Sequence, residues 1–293
     1  MCLLNRISEN FKSKQANGQI YHDSHSKGMK EKYTHLFFDL DNTIWDFNSN
    51  SFDALFIALD RLNLLDIIGS YDDFFKIYSE VNDRLWEQYR QGTMNKKVLS
   101  VQRFEETFEK NGTPLKIGGE VVNNTYLAEM PLQTRLVEGA RQVLDYLHGR
   151  YEVAIITNGF KEVQYDKIIR SELSKYFRKI FISEEIGAQK PGRQIFEYAI
   201  KSMNAPKKSS LMIGDSWEVD VVGAMNFGID QIYYNPKFMH LTQVTPIFSP
   251  IDQNINVIST GTPHIFDHQA NNIANKNTKT LIISDLLQLI DIL

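Results

Sequence analysis

The stretch FDLDNTI at residues 38–44 decides the fold, because it joins an apolar run to a pair of carboxylates. Leu36 and Phe37 come directly before it, so Asp39 stands at the end of a predicted buried strand and Asp41 lies two residues further on. Two carboxylates are costly to remove from water, and such a pair usually binds a cation or takes part in chemistry. The stretch therefore predicts a strand that ends in a functional site.

Three further polar clusters each follow a predicted strand, as the first pair does. They are Thr157-Asn158-Gly159 after the apolar run 153–156, Lys190-Pro191 after the run 180–182, and Gly214-Asp215-Ser216 with Asp220 after the run 211–213. In an open parallel sheet, ligands bind beyond the carboxyl ends of the strands. We therefore expect the four clusters to meet at one edge of one sheet.

Composition limits the classes of protein and partner. The chain has 293 residues, of which 42% are apolar, and this is ample for a packed core. A net charge of -4 with interspersed signs argues against nucleic acid as a partner. The single cysteine, Cys2, is typical of a reducing cytoplasm, and the sequence has no run of roughly 20 apolar residues that would predict a membrane span.

The order of the patterns predicts an α/β fold, a doubly wound Rossmann-like parallel sheet with an inserted all-helical cap domain. We expect residues 33–46 and 131–293 to form the α/β core and residues 47–130 to form the cap, because apolar residues in that block recur at helical spacing. Residues 1–32 are polar and predict a flexible leader.

The segment 236–278 has no clear period, and we expect an irregular excursion within the core domain. It carries two short β-like runs, at 244–248 and 255–259. After it, residues 280–283 predict a strand, and residues 284–293 predict a helix that begins with Ser284 as its N-cap.

The four clusters can fill every role in phosphoryl transfer. The incoming nucleophile meets a dianion, so the enzyme must neutralise charge, position a nucleophile and protonate the leaving oxygen. We expect Asp39 to be the nucleophile and Asp41 the general acid and then base. Asp39 and Asp215 would share Mg²⁺, a hard cation that prefers oxygen ligands.

The other clusters would bind phosphate and support the site. Hydrogen bonds to phosphoryl oxygens would come from Thr157 and the backbone at Asn158 and Gly159, and positive charge would come from Lys190. Thr43, Ser216 and Asp220 would support these groups, with Asp220 orienting Lys190 or a water.

These residues resemble the four signature motifs of the haloacid dehalogenase superfamily, in their usual order. The resemblance spans roughly residues 34–235, and four motifs in register with the strand pattern are far more specific than one. It implies Mg²⁺ held by Asp39, Asp215 and the backbone carbonyl of Asp41, and a helical cap after the first motif. An acidic residue at Asp41 resembles the phosphatase and phosphomutase pattern rather than that of dehalogenases or P-type ATPases.

The continuation Trp45-Asp46-Phe47 narrows the resemblance to bacterial pyrimidine 5'-nucleotidases of this superfamily. The resemblance implies a small phosphorylated substrate, a nucleoside 5'-monophosphate. Trp45, Phe47 and Phe160 are candidates for contact with the base, because a flat ring stacks on aromatic faces. For Trp86 and Tyr89, helical spacing favours packing over substrate contact.

Two alternatives to a phosphomonoesterase remain open at this point: a sugar phosphomutase of the β-phosphoglucomutase type, and a non-catalytic sensor of a phosphorylated ligand. His264, Asp267 and His268 have a spacing that could bind a metal, but a polar segment without further ligands favours a solvated surface. The sequence does not determine the oligomeric state.

Overall fold

The computed structural model describes residues 32–237, 264–267 and 278–293. Seven strands form one sheet in the order β3-β2-β1-β4-β5-β7-β6. The strands are β1 His35–Phe38, β2 Glu152–Thr157, β3 Lys179–Ile182, β4 Ser210–Gly214, β5 Asp230–Tyr234, β6 His264–Asp267 and β7 Lys279–Ile283. All neighbouring strands are parallel except β6, which pairs antiparallel with β7 at the edge. The predicted α/β fold with a parallel sheet is confirmed.

Both faces of the sheet are covered, and strand β1 illustrates the reason. Leu36 and Phe38 pack in one apolar cluster, whereas Phe37 packs in the other. Successive side chains of a strand point to opposite faces, so a strand that is apolar at every position must be buried on both sides. The register places Phe38 beside Ile155 of β2 and Ile213 of β4, so these three strands end at the same edge.

Five helices form the insertion that follows β1, within residues 47–129. They are α1 Phe47–Arg61, α2 Leu65–Ile68, α3 Tyr71–Arg90, α4 Lys96–Lys110 and α5 Gly119–Glu129. Asp46, Ser70 and Asn95 cap the first turns of α1, α3 and α4, since each side chain accepts a backbone N–H three residues on. The predicted helical insertion is confirmed.

The remaining helices cover the sheet. They are α6 Ala140–Leu147, α7 Lys161–Arg170, α8 Ser183–Ile186, α9 Arg193–Met203, α10 Val222–Phe227 and α11 Gln288–Ile292. A π-helical turn, Trp217–Val221, leads directly into α10.

The predicted N-cap at Ser284 is wrong, because the last helix begins at Gln288. The Gln288 side chain folds back, and its Oε1 accepts the backbone N–H groups of Ser284 at 2.9 Å and Asp285 at 3.1 Å. These two donors are satisfied without a helical turn, so residues 284–287 form a turn instead.

Several predictions lie outside the described residues. They concern residues 1–31, the β-like runs at 244–248 and 255–259, and the side chains of His264, Asp267 and His268. Strand β6 falls within the segment that was expected to be irregular, and its backbone completes the described edge of the sheet. In the described ranges, no helix combines the length and the apolar character that crossing a membrane requires.

Candidate active site

The first polar cluster, Asp39 and Asp41, lies in a tight turn directly after strand β1. The Asp39 backbone N–H still donates to the Ile213 carbonyl at 2.9 Å, as if the strand continued. The chain then reverses, and the N–H groups of Ile44 and Trp45 both donate to the Leu40 carbonyl at 2.9 Å. Asn42 makes this reversal in the left-handed region, with φ 57°, which asparagine tolerates better than most residues. The turn keeps the two carboxylates at the carboxyl end of the sheet.

Lys190 joins the first cluster to the last. Its Nζ lies 2.6 Å from Asp39 Oδ1 and 2.6 Å from Asp220 Oδ1, and its side chain is 1% exposed. Burial acts to lower the pKa of Lys190, but the attraction of Asp220 and Asp39 outweighs it and raises the pKa above its ordinary value. The lysine is therefore held as a cation between two acids.

Three carboxylates surround this lysine and exceed its charge. Asp39, Asp215 and Asp220 each offer an oxygen, and these atoms lie within 4.8 Å of one another. Burial raises the pKa of Asp39 well above its ordinary value, against the opposing pull of Lys190, and burial with the nearby Asp220 raises the pKa of Asp215 to about 7. One ammonium for three acids leaves a deficit of positive charge, so the oxygen donors fit a hard divalent cation such as Mg²⁺.

Two supporting residues hold the acids in place. The Thr43 hydroxyl donates to Asp215 Oδ1 at 3.1 Å, and the Ser216 backbone N–H donates to Asp220 Oδ2 at 3.1 Å. The Ser216 hydroxyl also accepts the Val219 N–H at 3.4 Å and caps the π-helical turn. Thr43 and Ser216 thus lie where a supporting role requires them.

The polar groups of the second cluster make hydrogen bonds within the protein. The Asn158 side chain donates to the Lys190 carbonyl at 2.8 Å and accepts the Lys190 N–H at 2.9 Å. The Gly159 N–H donates to Ser183 Oγ at 3.3 Å, and Thr157 Oγ1 accepts from Gln164 at 2.6 Å. Asn158 therefore fixes the loop that carries the lysine. The contacts of Thr157 and of the Asn158 and Gly159 backbone with phosphate stay predictions.

Asp41 is held by two residues that were not predicted from the sequence. Lys167 Nζ lies 2.7 Å from Asp41 Oδ1, and Gln164 Nε2 donates to Asp41 Oδ2 at 3.0 Å. Both come from helix α7, where a separation of three residues places them on one face. Lys167 is 2% exposed, and its Nζ lies 4.4 Å from the centre of the Trp45 ring. Their position on the helix that follows the second cluster is the signal that could have identified them.

A cavity of about 400 Å³ lies between the cap and the core, with Asp41 in its wall. Its lining includes Phe47, Asn82, Asp83, Trp86, Arg90, Arg103, Tyr126, Asn158, Gly159, Phe160, Gln164 and Lys167. Phe47 and Phe160 thus line the cavity, as expected of substrate contacts. Trp45 does not: its side chain is 0% exposed, so it packs beneath Lys167 and does not present its ring to a ligand.

Trp86 lines this cavity and also packs against the apolar core. Its ring centre lies 5.2 Å from that of Phe160, at an interplanar angle of 33°. Helical spacing predicted packing for Trp86, and the residue does pack against the core, yet it also lines the cavity. The sequence could not show that Trp86 lines the cavity, because Phe160 belongs to the α/β core and contacts Trp86 only where the cap packs against that core.

Polar contacts hold the cap against the core beside the site. Gln189, next to Lys190, donates through Nε2 to the carbonyls of Tyr89 at 3.1 Å and Arg90 at 3.0 Å. Lys96 at the start of α4 places its Nζ 2.9 Å from Glu162 and 2.7 Å from Glu184. These contacts place the cavity wall over the carboxyl end of the sheet.

Known proteins share this architecture. The chain is 32% identical to pyrimidine 5'-nucleotidase YjjG of Escherichia coli over 70% of this chain and 87% of that protein. It is 33% identical to pyrimidine 5'-nucleotidase PynA of Streptococcus pneumoniae over 74% of this chain and 90% of that protein. A glyceraldehyde 3-phosphate phosphatase of Pyrococcus abyssi is 30% identical over 68% of this chain and 80% of that protein.

Solved structures agree with the fold. The crystal structure of the hydrolase YfnB of Bacillus subtilis bound to magnesium matches with a TM-score of 0.66 and 28% identity, over 71% of this chain and 91% of that chain. L-2-haloacid dehalogenase of Xanthobacter autotrophicus shares the fold at a TM-score of 0.60 and 15% identity, over 88% of this chain and 97% of that chain. The family model for haloacid dehalogenase-like hydrolases matches residues 33–228. The chain belongs to the haloacid dehalogenase-like hydrolase family.

Proposed function

We propose that the protein is a Mg²⁺-dependent phosphomonoesterase that acts on nucleoside 5'-monophosphates through an aspartyl-phosphate on Asp39. The observation that supports it most is the meeting of Asp39, Asp215 and Asp220 around Lys190, with carboxylate oxygens within 4.8 Å of one another. These residues come from three separate parts of the chain, and a packing role alone does not account for two buried acids and one half-buried acid beside one lysine.

Asp39 is the nucleophile in this proposal. Its Oδ1 is paired with Lys190 at 2.6 Å, which leaves Oδ2 to attack the phosphorus. The phosphorus–oxygen bond to the leaving alcohol breaks as the new bond to Asp39 forms. Lys190, fixed by Asp220, supplies positive charge beside the transferred group. Mg²⁺, held by Asp39, Asp215 and the backbone carbonyl of Asp41, would neutralise the charge of the phosphoryl oxygens.

Asp41 moves the protons. It gives a proton to the leaving oxygen in the first step and takes one from the water that hydrolyses the intermediate in the second, so phosphate is released and Asp39 is regenerated. Its oxygens are held by Lys167 at 2.7 Å and Gln164 at 3.0 Å, and it lines the cavity where the leaving group would lie. The acid is therefore oriented before substrate arrives.

The cavity supports a nucleotide over a small sugar phosphate. Its aromatic lining, Phe47, Trp86, Tyr126 and Phe160, offers flat apolar surface to a base, and about 400 Å³ is within the range of small-molecule sites. Relatives of similar identity carry names with different substrates, so the cavity and the Trp45-Asp46-Phe47 continuation carry this part of the proposal.

A phosphate-release screen tests the proposal. Nucleoside 5'-monophosphates and hexose phosphates are incubated with Mg²⁺, with chelator, and with the Asp39→Asn variant, and both free phosphate and isomerised product are measured. We expect phosphate release from nucleotides that chelator abolishes and that Asp39→Asn lowers by at least about a thousandfold. Isomerisation of a hexose 1-phosphate with little free phosphate would instead establish a mutase, and binding without turnover would establish a sensor.

A further inference from the structure

The cap contains a buried arginine that forms no ion pair within the part of the chain that the structure describes. Arg103 on α4 is 3% exposed, and among the described residues no carboxylate lies within ion-pair distance of it. Its partners are two neutral amides, Asn123 Oδ1 at 2.6 Å and Asn82 Oδ1 at 3.4 Å, and its Nε has no acceptor in the described part of the chain. A buried charge in this state is costly unless a further acceptor reaches it.

The cap pairs another of its buried charges, which makes Arg103 unusual. Glu129 is also 3% exposed, and it forms an ion pair with Arg61. The Arg103 guanidinium instead lies 4.9 Å from the Phe104 ring centre and 5.1 Å from that of Tyr126, and it lines the cavity that Asp41 also lines. Arg103 therefore lies in the wall of the cavity where the substrate of the proposed reaction would lie.

The surroundings of Arg103 favour a neutral carbonyl over a second phosphate. Asp83 on α3 lies at the exposed rim of the same cavity, and its carboxylate is an acceptor that suits an N–H donor better than a second phosphate. A hydrated phosphate is also poorly matched to walls made by the rings of Trp86 and Phe160. A flat ring with a carbonyl oxygen suits these walls and accepts a charge-assisted hydrogen bond from Arg103.

We infer that Arg103 is a specificity residue that donates to the carbonyl oxygen of a lactam base, with Asp83 as acceptor for the adjacent ring N–H. Uracil and thymine present this N–H beside C=O edge, and so does hypoxanthine, whereas adenine has no carbonyl oxygen. The inference rests on the proposed function for its substrate class, and it adds the chemistry by which the cap selects the base. Arg103 touches the base and does not act on the phosphate.

Kinetics with matched substrates test this assignment. UMP, the size-matched pair IMP and AMP, and p-nitrophenyl phosphate, which has no base, are compared for wild type, Arg103→Lys, Arg103→Met and Asp83→Asn. Wild type should prefer UMP to AMP and IMP to AMP. Arg103→Met should lower kcat/KM for UMP and IMP by about tenfold to a hundredfold, mainly through KM, the size expected for a charge-assisted hydrogen bond. Turnover of AMP and p-nitrophenyl phosphate should change less than about twofold.

Two controls separate specificity from folding. Arg84→Met removes another cap arginine, one that pairs with Glu106, and it should leave all four substrates unchanged. Inhibition of p-nitrophenyl phosphate hydrolysis by uridine reports base binding without chemistry, and it should weaken about tenfold in Arg103→Met and less in Arg103→Lys. Asp83 lies at the exposed rim, so Asp83→Asn should fold normally and should also lose UMP preference.

The outcomes distinguish this inference from the proposed function. Release of no phosphate from any ester by wild type would overturn the proposed function. Suppose that wild type hydrolyses esters. If Arg103→Met then loses as much activity toward p-nitrophenyl phosphate as toward UMP, or loses activity toward neither, the specificity role is wrong. If Arg103→Met selectively lost activity toward a bisphosphorylated sugar such as fructose 1,6-bisphosphate, Arg103 would bind a second anion. That result would equally overturn the assignment to a base carbonyl.

Discussion

Lys167 Nζ lies 2.7 Å from Asp41 Oδ1, and this contact ties helix α7 to the turn that follows strand β1. The lysine is buried between the carboxylate and the ring of Trp45, so its position is set by packing as well as by charge. Because a general acid must be oriented toward its leaving group, we regard Lys167 as a positioning residue for Asp41.

Removal of this contact should affect esters according to their leaving group. In Lys167→Met, Asp41 keeps only Gln164 as a side-chain donor, so we expect kcat for an alkyl phosphate such as a nucleotide to fall about tenfold to a hundredfold. An aryl phosphate needs less proton donation, and its kcat should fall much less. The ratio of the two rates is the measurement.

The control for this prediction is Lys161→Met on the same helix, which removes a lysine that pairs with Glu185 at 3.0 Å on the surface. It should leave both rates unchanged, because exposed ion pairs contribute little. Equal losses for alkyl and aryl esters in Lys167→Met would indicate general damage to the site rather than loss of acid orientation.

Gly214 allows Asp220 to approach strand β4. A Cβ at this position would lie 2.6 Å from the Asp220 Cβ, closer than real contacts allow. Gly214→Ala should therefore displace Asp220 from Lys190, lower kcat by about tenfold or more, and reduce the free energy of unfolding by about 1–3 kcal/mol, as overpacking does. Gly118→Ala is the control, since nothing lies within 4 Å of its Cβ. Normal activity in Gly214→Ala would show that the Asp220 contact is dispensable.

Bound Mg²⁺ should change how stability depends on pH. The pKa of Asp215 is about 7 in the fold, above its ordinary value, because burial and Asp220 disfavour its ionised form. The folded metal-free state therefore holds a proton that the unfolded state has lost, and its stability falls as pH rises toward 7. A cation bound by the ionised carboxylate removes this penalty, so the rise in Tm caused by Mg²⁺ should be larger near pH 8 than near about pH 5.5.

Thermal unfolding with and without Mg²⁺, in wild type and in Asp215→Asn, is the measurement for this prediction. The substitution removes one of the two metal-binding carboxylates whose pKa is raised, Asp39 being the other, and should reduce the difference between the two pH values. A rise in Tm caused by Mg²⁺ that is equal at both pH values, or larger at the acidic one, would contradict the placement of the cation at Asp215.

The strands that end at the site were predictable, because each is marked by a short pattern of neighbouring residues. Strands β2 and β4 are observed at the predicted positions, since each is an apolar run that ends at a polar residue. Asp39, Lys190, Asp215 and Asp220 meet because parallel strands with shared register carry their ends to one edge.

The cavity was not predictable in the same way, because it is formed between the cap and the core. Arg103 and Trp86 lie on cap helices whose spacing indicates packing, and only the seating of the cap places them opposite Phe160 and Lys167. Trp45 follows Asp41 closely in sequence, yet the turn directs it into the core. Proximity along the chain was therefore a poor guide to contact with a ligand.

The most direct test of the account is chemical trapping of the nucleophile. The enzyme is quenched during turnover of a nucleotide with Mg²⁺ and reduced with borohydride, which converts an aspartyl-phosphate to homoserine, and the peptide carrying Asp39 is analysed by mass spectrometry. We expect homoserine at residue 39, and none when substrate is omitted or in Asp39→Asn. Phosphate release with unmodified Asp39, or with homoserine at another aspartate, would contradict it.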